Sequence, residues 1–218
     1  MSFVQHARDF LPILLEGAVV TIQLTVLSFA LSSLLGLGLA LSRISPVRAL
    51  RLSASVVIDI IRGLPIIVTL FYIYFVLPDF GIDLSAFQAG VIGLGIAYSA
   101  YHAENFRGGI EAVDIGQQEA AQAMGMRRPL MMRRVILPQA LRIALPPYGN
   151  ILVMMLKDSS LASTITVAEM TRAGQLIASS TFQNMTVYTL VALLYLFMSL
   201  PLVWTLRHME RLGKRGKP

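Results

Sequence analysis

Between Glu16 and Arg43 the chain carries no charged side chain. Taken as a helix, such a run exceeds the roughly 20 apolar residues that span the hydrocarbon core of a bilayer. Backbone polar groups in lipid must be satisfied within the segment itself, so a continuous helix is the form open to it. That one stretch removes ordinary soluble folds from consideration. Composition agrees, with 56% hydrophobic and 14% charged residues and a mean hydropathy of +0.69, where globular chains carry about 25% charged residues.

Five spans are expected, near Gly17–Leu41, Ser55–Leu77, Ala86–Phe106, Ile143–Leu161 and Val187–Leu206. The second carries Asp59 and Arg62 in its first turns, the third His102 and Glu104 towards its end, and the fourth Lys157 and Asp158. Basic residues fall in alternate connections. Arg43, Arg48 and Arg51 follow span one; Arg107, Arg127, Arg128, Arg133, Arg134 and Arg142 follow span three; Arg207, Arg211, Lys214, Arg215 and Lys217 close the chain. The other connections hold only Arg8 and Arg172 beside Asp9, Asp79, Asp83 and Glu169. By the positive-inside rule the N-terminus is outside and the C-terminus cytoplasmic. The net charge of +6 is thus a topology signal, and no nucleic-acid partner is expected, since that would need the basic residues on one face. The tail from Arg207 to Lys217 reads as an anchor to anionic membrane lipid. Met1 to Phe10 lacks a basic leader region and the first apolar run is too long for a signal-peptide core, so span one is expected to be retained. Residues 1–218 read as a single transmembrane domain without internal repeats, with its long inner connection at about 107–142 and its long outer one at 162–186.

The inner connection holds the most specific pattern. Glu119-Ala-Ala-Gln-Ala-Met-Gly125 reads as an alanine-rich helical turn with a glycine break, and Pro129 near the first turn of a second short helix. Ala120, Ala121, Ala123 and Met124 give a flat face suited to a partner's groove rather than to a core of its own. With Leu137-Pro138 downstream, this segment resembles the EAA loop of ABC-transporter permease subunits. Glu119, Ala120, Ala121, Gly125, Leu137 and Pro138 match the family pattern, while Val135 stands where the family has isoleucine.

The resemblance continues outside the loop. Arg62-Gly-Leu-Pro65, Tyr101-His-Ala-Glu104-Asn-Phe-Arg107-Gly-Gly-Ile110, Gly116-Gln117, Leu137-Pro-Gln-Ala-Leu-Arg142, Pro146-Pro147 with Asn150, Leu156-Lys-Asp-Ser-Ser-Leu-Ala162 and Val167-Ala-Glu-Met-Thr-Arg-Ala-Gly174 are similar to the polar amino-acid branch of that family, which includes histidine, arginine and glutamine importers. The resemblance implies an all-α membrane protein of the type I ABC importer class in the bacterial cytoplasmic (inner) membrane. It implies a permease that pairs with an identical or homologous permease subunit, binds two ABC ATPase subunits and receives substrate from an extracytoplasmic substrate-binding protein. ATP with Mg would be used on the ATPase partner. The chain itself has no Gly-x-x-x-x-Gly-Lys-Ser/Thr phosphate loop, no His-Glu-x-x-His zinc pattern and no Gly-x-Ser-x-Gly elbow, so neither cofactor nor enzyme chemistry is expected of it.

Charges inside spans are costly and invite a functional reading. Asp59 with Arg62 and Glu104 with Arg107 are spaced to lie on one helical face and neutralise each other. Lys157 and Asp158 are adjacent, point about 100° apart and must find other partners. Glu169 and Arg172 lie on a short helix expected at Val167–Ala173, either as a solvated pair or in the substrate pathway. A carboxylate such as Glu169 or Asp158 suits an amino acid's ammonium, and Lys157, Arg172 or a helix N-terminus suits its carboxylate. Tyr72, Tyr74 and Phe75 suit a membrane-interface belt, and Gly36, Gly38, Gly90, Gly93 and Gly95 suit close helix packing. A secondary transporter or channel subunit remains the alternative, though such proteins usually show inverted repeats and more spans.

Overall fold

The computed structural model describes residues 3–214. Met1, Ser2, Arg215 and Lys217 lie outside them, the last two being part of the expected lipid anchor. Regular structure among the described residues is entirely helical. Helix α1 runs Phe3–Arg43, α2 Arg48–Gly63, α3 Ile66–Phe71, α4 Ala86–Glu111, α5 Ile115–Ala123, α6 Arg128–Met131, α7 Leu137–Asp158, α8 Met170–Thr181 and α9 Asn184–Lys214. α1 is 41 residues long, about 60 Å at 1.5 Å per residue. It therefore reaches well past the expected Gly17–Leu41, because Arg8, Asp9 and Glu16 continue the helix beyond the charge-free run.

The second expected span is not one straight helix. α2 ends at Gly63, Leu64 is extended (φ −97°, ψ 136°) and Pro65 caps α3. Proline drives the residue before it out of the helical region, and the chain turns by 101° between α2 and the segment Ile66–Phe80. Two π-helical segments, Tyr72–Val76 and Met132–Ile136, each lead into a Leu-Pro pair, Leu77-Pro78 and Leu137-Pro138. Proline offers no N–H to the carbonyl four residues back and its ring crowds that carbonyl; a widened turn absorbs both defects.

By length and composition α1 and α9 qualify singly as membrane-crossing helices. Two bent pairs, α2 with Ile66–Phe80 and Arg128–Ile165 with α8, raise the number to four if each is one span. α4 is more polar than these, carrying His102, Glu104, Arg107 and Glu111, yet it is the best-buried helix. It starts with a capping box, in which the Ser85 side chain accepts from the Gln88 N–H and the Gln88 side chain accepts from the Ser85 N–H; this pairing satisfies two free amides of the first turn.

Small residues let the helices approach. α1 lies parallel to α4: Leu24 meets Gly90, Leu31 meets Gly95, and Gly36 faces Ser99, His102 and Ala103. α7 runs antiparallel to α4, with Gly109 against Ala140 and Ala144 and the Asn105 amide donating to the Ala144 carbonyl at 3.1 Å. A Cβ at Gly36 would come within 2.5 Å of the His102 Cβ, so that crossing admits glycine alone. Gly38, expected to share this duty, faces open space. α9 packs on α7 through Leu206 over Gly149 and on α8 through Val191 over Gly174. Leu34, Phe197 and Trp204 remain exposed on α1 and α9, as residues that meet lipid would.

Candidate functional site

At one end of the bundle, the chain between α4 and α7 forms a compact helical elbow. Asp114 caps α5: its side chain accepts from the Gly116 N–H at 2.7 Å. Glu119 sits in the middle of α5, exposed and without a polar partner among the described residues. α5 ends in a Schellman motif. The Met126 N–H donates to the Ala121 carbonyl at 3.1 Å and the Gly125 N–H to the Gln122 carbonyl at 2.9 Å. Gly125 takes φ +74°, the left-handed conformation that strains any other common residue at this cap. α6 then opens with Pro129 in its first turn, as its fixed φ favours.

The elbow has more of a core than its alanine content suggests. Ala121 is buried with Val113, Met131, Ile136 and Ala140, and Met126 and Val135 pack against them. Its other face stays open: Ala120 and Ala123 are exposed beside Ile115 and Met124, which are 66% and 77% accessible. Leu137 and Pro138 are likewise exposed at the start of α7. The double turn thus presents to the outside a face of alanine, isoleucine and methionine with the exposed Glu119 carboxylate among them.

Near the base of the elbow, Glu104 pairs with Arg107 as its spacing predicts, but it also receives Arg43 from the end of α1, while Arg107 reaches Glu111. Asp59 and Arg62 are both exposed and, among the described residues, form no ion pair, contrary to the expectation for them.

The opposite half of the bundle holds the expected pathway residues. Lys157 and Asp158 diverge as adjacency requires: Asp158 accepts from the Tyr98 hydroxyl at 2.6 Å, while Lys157 is exposed at the end of α7 without a polar partner among the described residues. Glu169 is the N-cap of α8 and is fully buried, so a solvated pair with Arg172 is not what forms. Its carboxylate accepts from the Arg172 N–H at 2.7 Å, the Thr171 N–H at 2.8 Å and the Tyr195 hydroxyl at 2.9 Å. Thr21 of α1 joins this cluster by accepting from the Met170 N–H at 3.1 Å. The half-buried Arg172 guanidinium meets the Gln175 side chain. Tyr72 and Phe75 are exposed, as belt residues would be, and the Tyr74 hydroxyl lies 3.4 Å from that of Thr166. The residues that sequence reasoning overlooked are the ones across the helix contacts: Thr21, Tyr98 and Tyr195.

Among the described residues no group of His, Cys, Asp and Glu is arranged to hold a metal ion. His102, fully buried, is instead ringed by Phe29, Phe106 and Tyr148 at centroid distances of 5.0, 5.9 and 4.9 Å.

Residues 11–213 match the family model described as the inner membrane component of binding-protein-dependent transport systems. A probable amino-acid ABC transporter permease protein of Sinorhizobium fredii is 39% identical over 97% of this chain and 92% of its own length. The glutamine transport system permease protein of Escherichia coli is 40% identical over 92% of this chain and 93% of its own. In the crystal structure of an amino acid ABC transporter with histidines, one chain is 40% identical and superposes with a TM-score of 0.92 over 97% of this chain and 98% of that one. With a match that runs from α1 to α9 at that identity, the chain belongs to the family of inner membrane components of binding-protein-dependent transport systems.

Proposed function

We propose that the chain is the permease subunit of an ABC importer for polar amino acids, and that the elbow between α4 and α7 is its coupling element. As a member of its family it is an inner-membrane transport component, and ATP hydrolysis belongs to a separate ATPase subunit. The observation that carries the assignment is the elbow itself: Glu119, Ala120, Ala121 and Gly125, with Leu137 and Pro138, belong to a hydrogen-bonded double turn whose outer face is exposed. Two ATPase subunits with ATP and Mg would dock there. A second permease, identical or homologous, and an extracytoplasmic substrate-binding protein complete the assembly.

In this reading residues 1–218 act as one domain crossing the membrane five times, with the N-terminus outside and the elbow and C-terminus in the cytoplasm. The parallel course of α1 and α4, which brings Arg43 and Glu104 to one end, supports that topology. The substrate pathway passes Lys157 and Asp158 at the end of α7 and the first turn of α8 with Glu169 and Arg172. Asp158 and Lys157 offer opposite charges for an amino acid's ammonium and carboxylate. Glu169 serves the path by holding the start of α8 in place, since its oxygens are already engaged.

The test is uptake into proteoliposomes of the reconstituted complex, with a panel of labelled polar amino acids. ATP-dependent accumulation that requires the binding protein is the expected result. Accumulation without ATP, driven by an ion gradient, would overturn the assignment.

A further inference from the structure

The four charges beside the elbow form one continuous chain across two helices. Glu104, Arg107 and Glu111 stand three and four residues apart on α4, a single stripe along its last two turns. Arg107 binds Glu104 through its Nε, at 3.2 Å, and its Nη2, and Glu111 through its Nη1. Glu104 also accepts from Arg43, the last residue of α1. The stripe ends at the last residue of α4, three residues before the Asp114 cap that starts the elbow. Arg43 in turn precedes α2, whose Ile58 packs with Ala40, Ala100 and Ala103 at the same end of the bundle.

Stability does not require this arrangement. The Arg43 and Glu104 side chains are 25% and 21% accessible, and ion pairs with that access to water contribute little to folding. The same helices are already joined by the Gly36 crossing and by the apolar cluster around Ile58. What the charges add is direction: any displacement of the last turns of α4 changes the field at Arg43.

We propose that Arg43 and Glu104 are positioning residues for transport, tying the end of α1 and the start of α2 to the base of the elbow. Motion delivered to the elbow then moves α1 and the bent α2–α3 unit together with α4. This role rests on the coupling function of the elbow proposed for the chain.

The test uses the whole transporter in proteoliposomes, with ATP hydrolysis and uptake measured in the same vesicles. Arg43→Gln and Glu104→Gln are each expected to lower uptake per ATP hydrolysed at least about fivefold, the low end of a typical coupling effect. The ATPase should stay bound and the thermal stability of the complex unchanged. The double variant should be no worse than either single one, since both remove one interaction, and Arg43→Lys should recover most of the ratio. Unchanged uptake per ATP in Arg43→Gln would overturn the role. So would parallel loss of stability and both activities, which marks a structural pair, or a double variant whose losses multiply. Gly125→Val in the same vesicles separates the two levels: normal uptake per ATP in that variant removes the coupling function of the elbow itself, whereas failure at Arg43 alone removes only this tie.

Discussion

Replacing Glu169 by alanine should loosen the contact of α8 with α1 and α9 more than any other single polar change in the bundle. The side chain caps two amides of the first turn of α8, at 2.7 and 2.8 Å, and loss of an N-cap costs about 0.5–2 kcal/mol. The Tyr195 hydroxyl loses its 2.9 Å hydrogen bond to the same carboxylate and keeps only the Thr171 hydroxyl at 3.1 Å, a loss of about 1–2 kcal/mol. Glu169 itself has no solvent access, so the removed atoms also leave a void, and the sum falls at about 3–5 kcal/mol. Glu169→Gln keeps the volume and one acceptor oxygen, and Tyr195→Phe removes one donor, so each should cost about 1–2 kcal/mol. The assay is the half-loss temperature of the detergent-solubilised complex, followed by size-exclusion chromatography after heating. At about 2–4 °C per kcal/mol for a chain of this size, alanine should lower it by about 10 °C and the other two by about 3 °C each. An alanine variant no less stable than Tyr195→Phe would refute the capping role. Uptake by Glu169→Gln should follow the amount of intact complex; a loss of uptake at full stability would return Glu169 to direct contact with substrate.

Gly36→Leu should prevent stable accumulation of the protein, because its first side-chain atom already falls 2.5 Å from the His102 Cβ; Gly38→Leu, facing open space, should accumulate normally, and immunoblots of membranes compare the two. Asp158→Asn should raise the substrate concentration needed for half-maximal uptake at least about fivefold, whereas Tyr98→Phe, which keeps the carboxylate and removes only its 2.6 Å donor, should shift it less. Glu119→Lys should weaken ATPase binding in detergent pull-downs without altering thermal stability, as the side chain is exposed.

Helix positions were largely legible in the sequence, and the breaks between them much less so. Gly17–Leu41 and Val187–Leu206 sit inside α1 and α9 because an uninterrupted apolar run leaves the backbone no other choice. The second span misled because hydropathy counts residues and not backbone geometry: Ser55 to Leu77 is apolar enough to cross, but Pro65 turns the chain at Leu64. The elbow could be read because its landmarks are backbone requirements; Gly125 was identified from the turn it makes, and it makes that turn.

Partnerships between distant helices were hidden. Nothing local says that Arg43 meets Glu104, or that Tyr98 and Tyr195 serve Asp158 and Glu169. Glu169 reads from the sequence either as half of a solvated pair, because its neighbour at i+3 is arginine, or as a pathway carboxylate; in the structure it is buried and caps the helix that begins one residue later. Thr21, Thr25, Ser28 and Ser32 recur at helical spacing within the charge-free run of α1, and all four are buried in the structure. Such a hydroxyl stripe marks the inward face of a lipid-embedded helix and points to where polar partners from other segments will be found.

Most directly at stake is whether the open face of the elbow receives an ATPase. The decisive measurement is a mild-detergent pull-down of the tagged protein from its native membranes, with partners identified by mass spectrometry, for the unaltered chain and for a Glu119→Lys/Gly125→Val variant. Co-purification of an ATPase bearing a phosphate-binding loop, lost in the variant, is the predicted result. Recovery of a transport-active protein with no ATPase, or with ATPase binding indifferent to the variant, would contradict it.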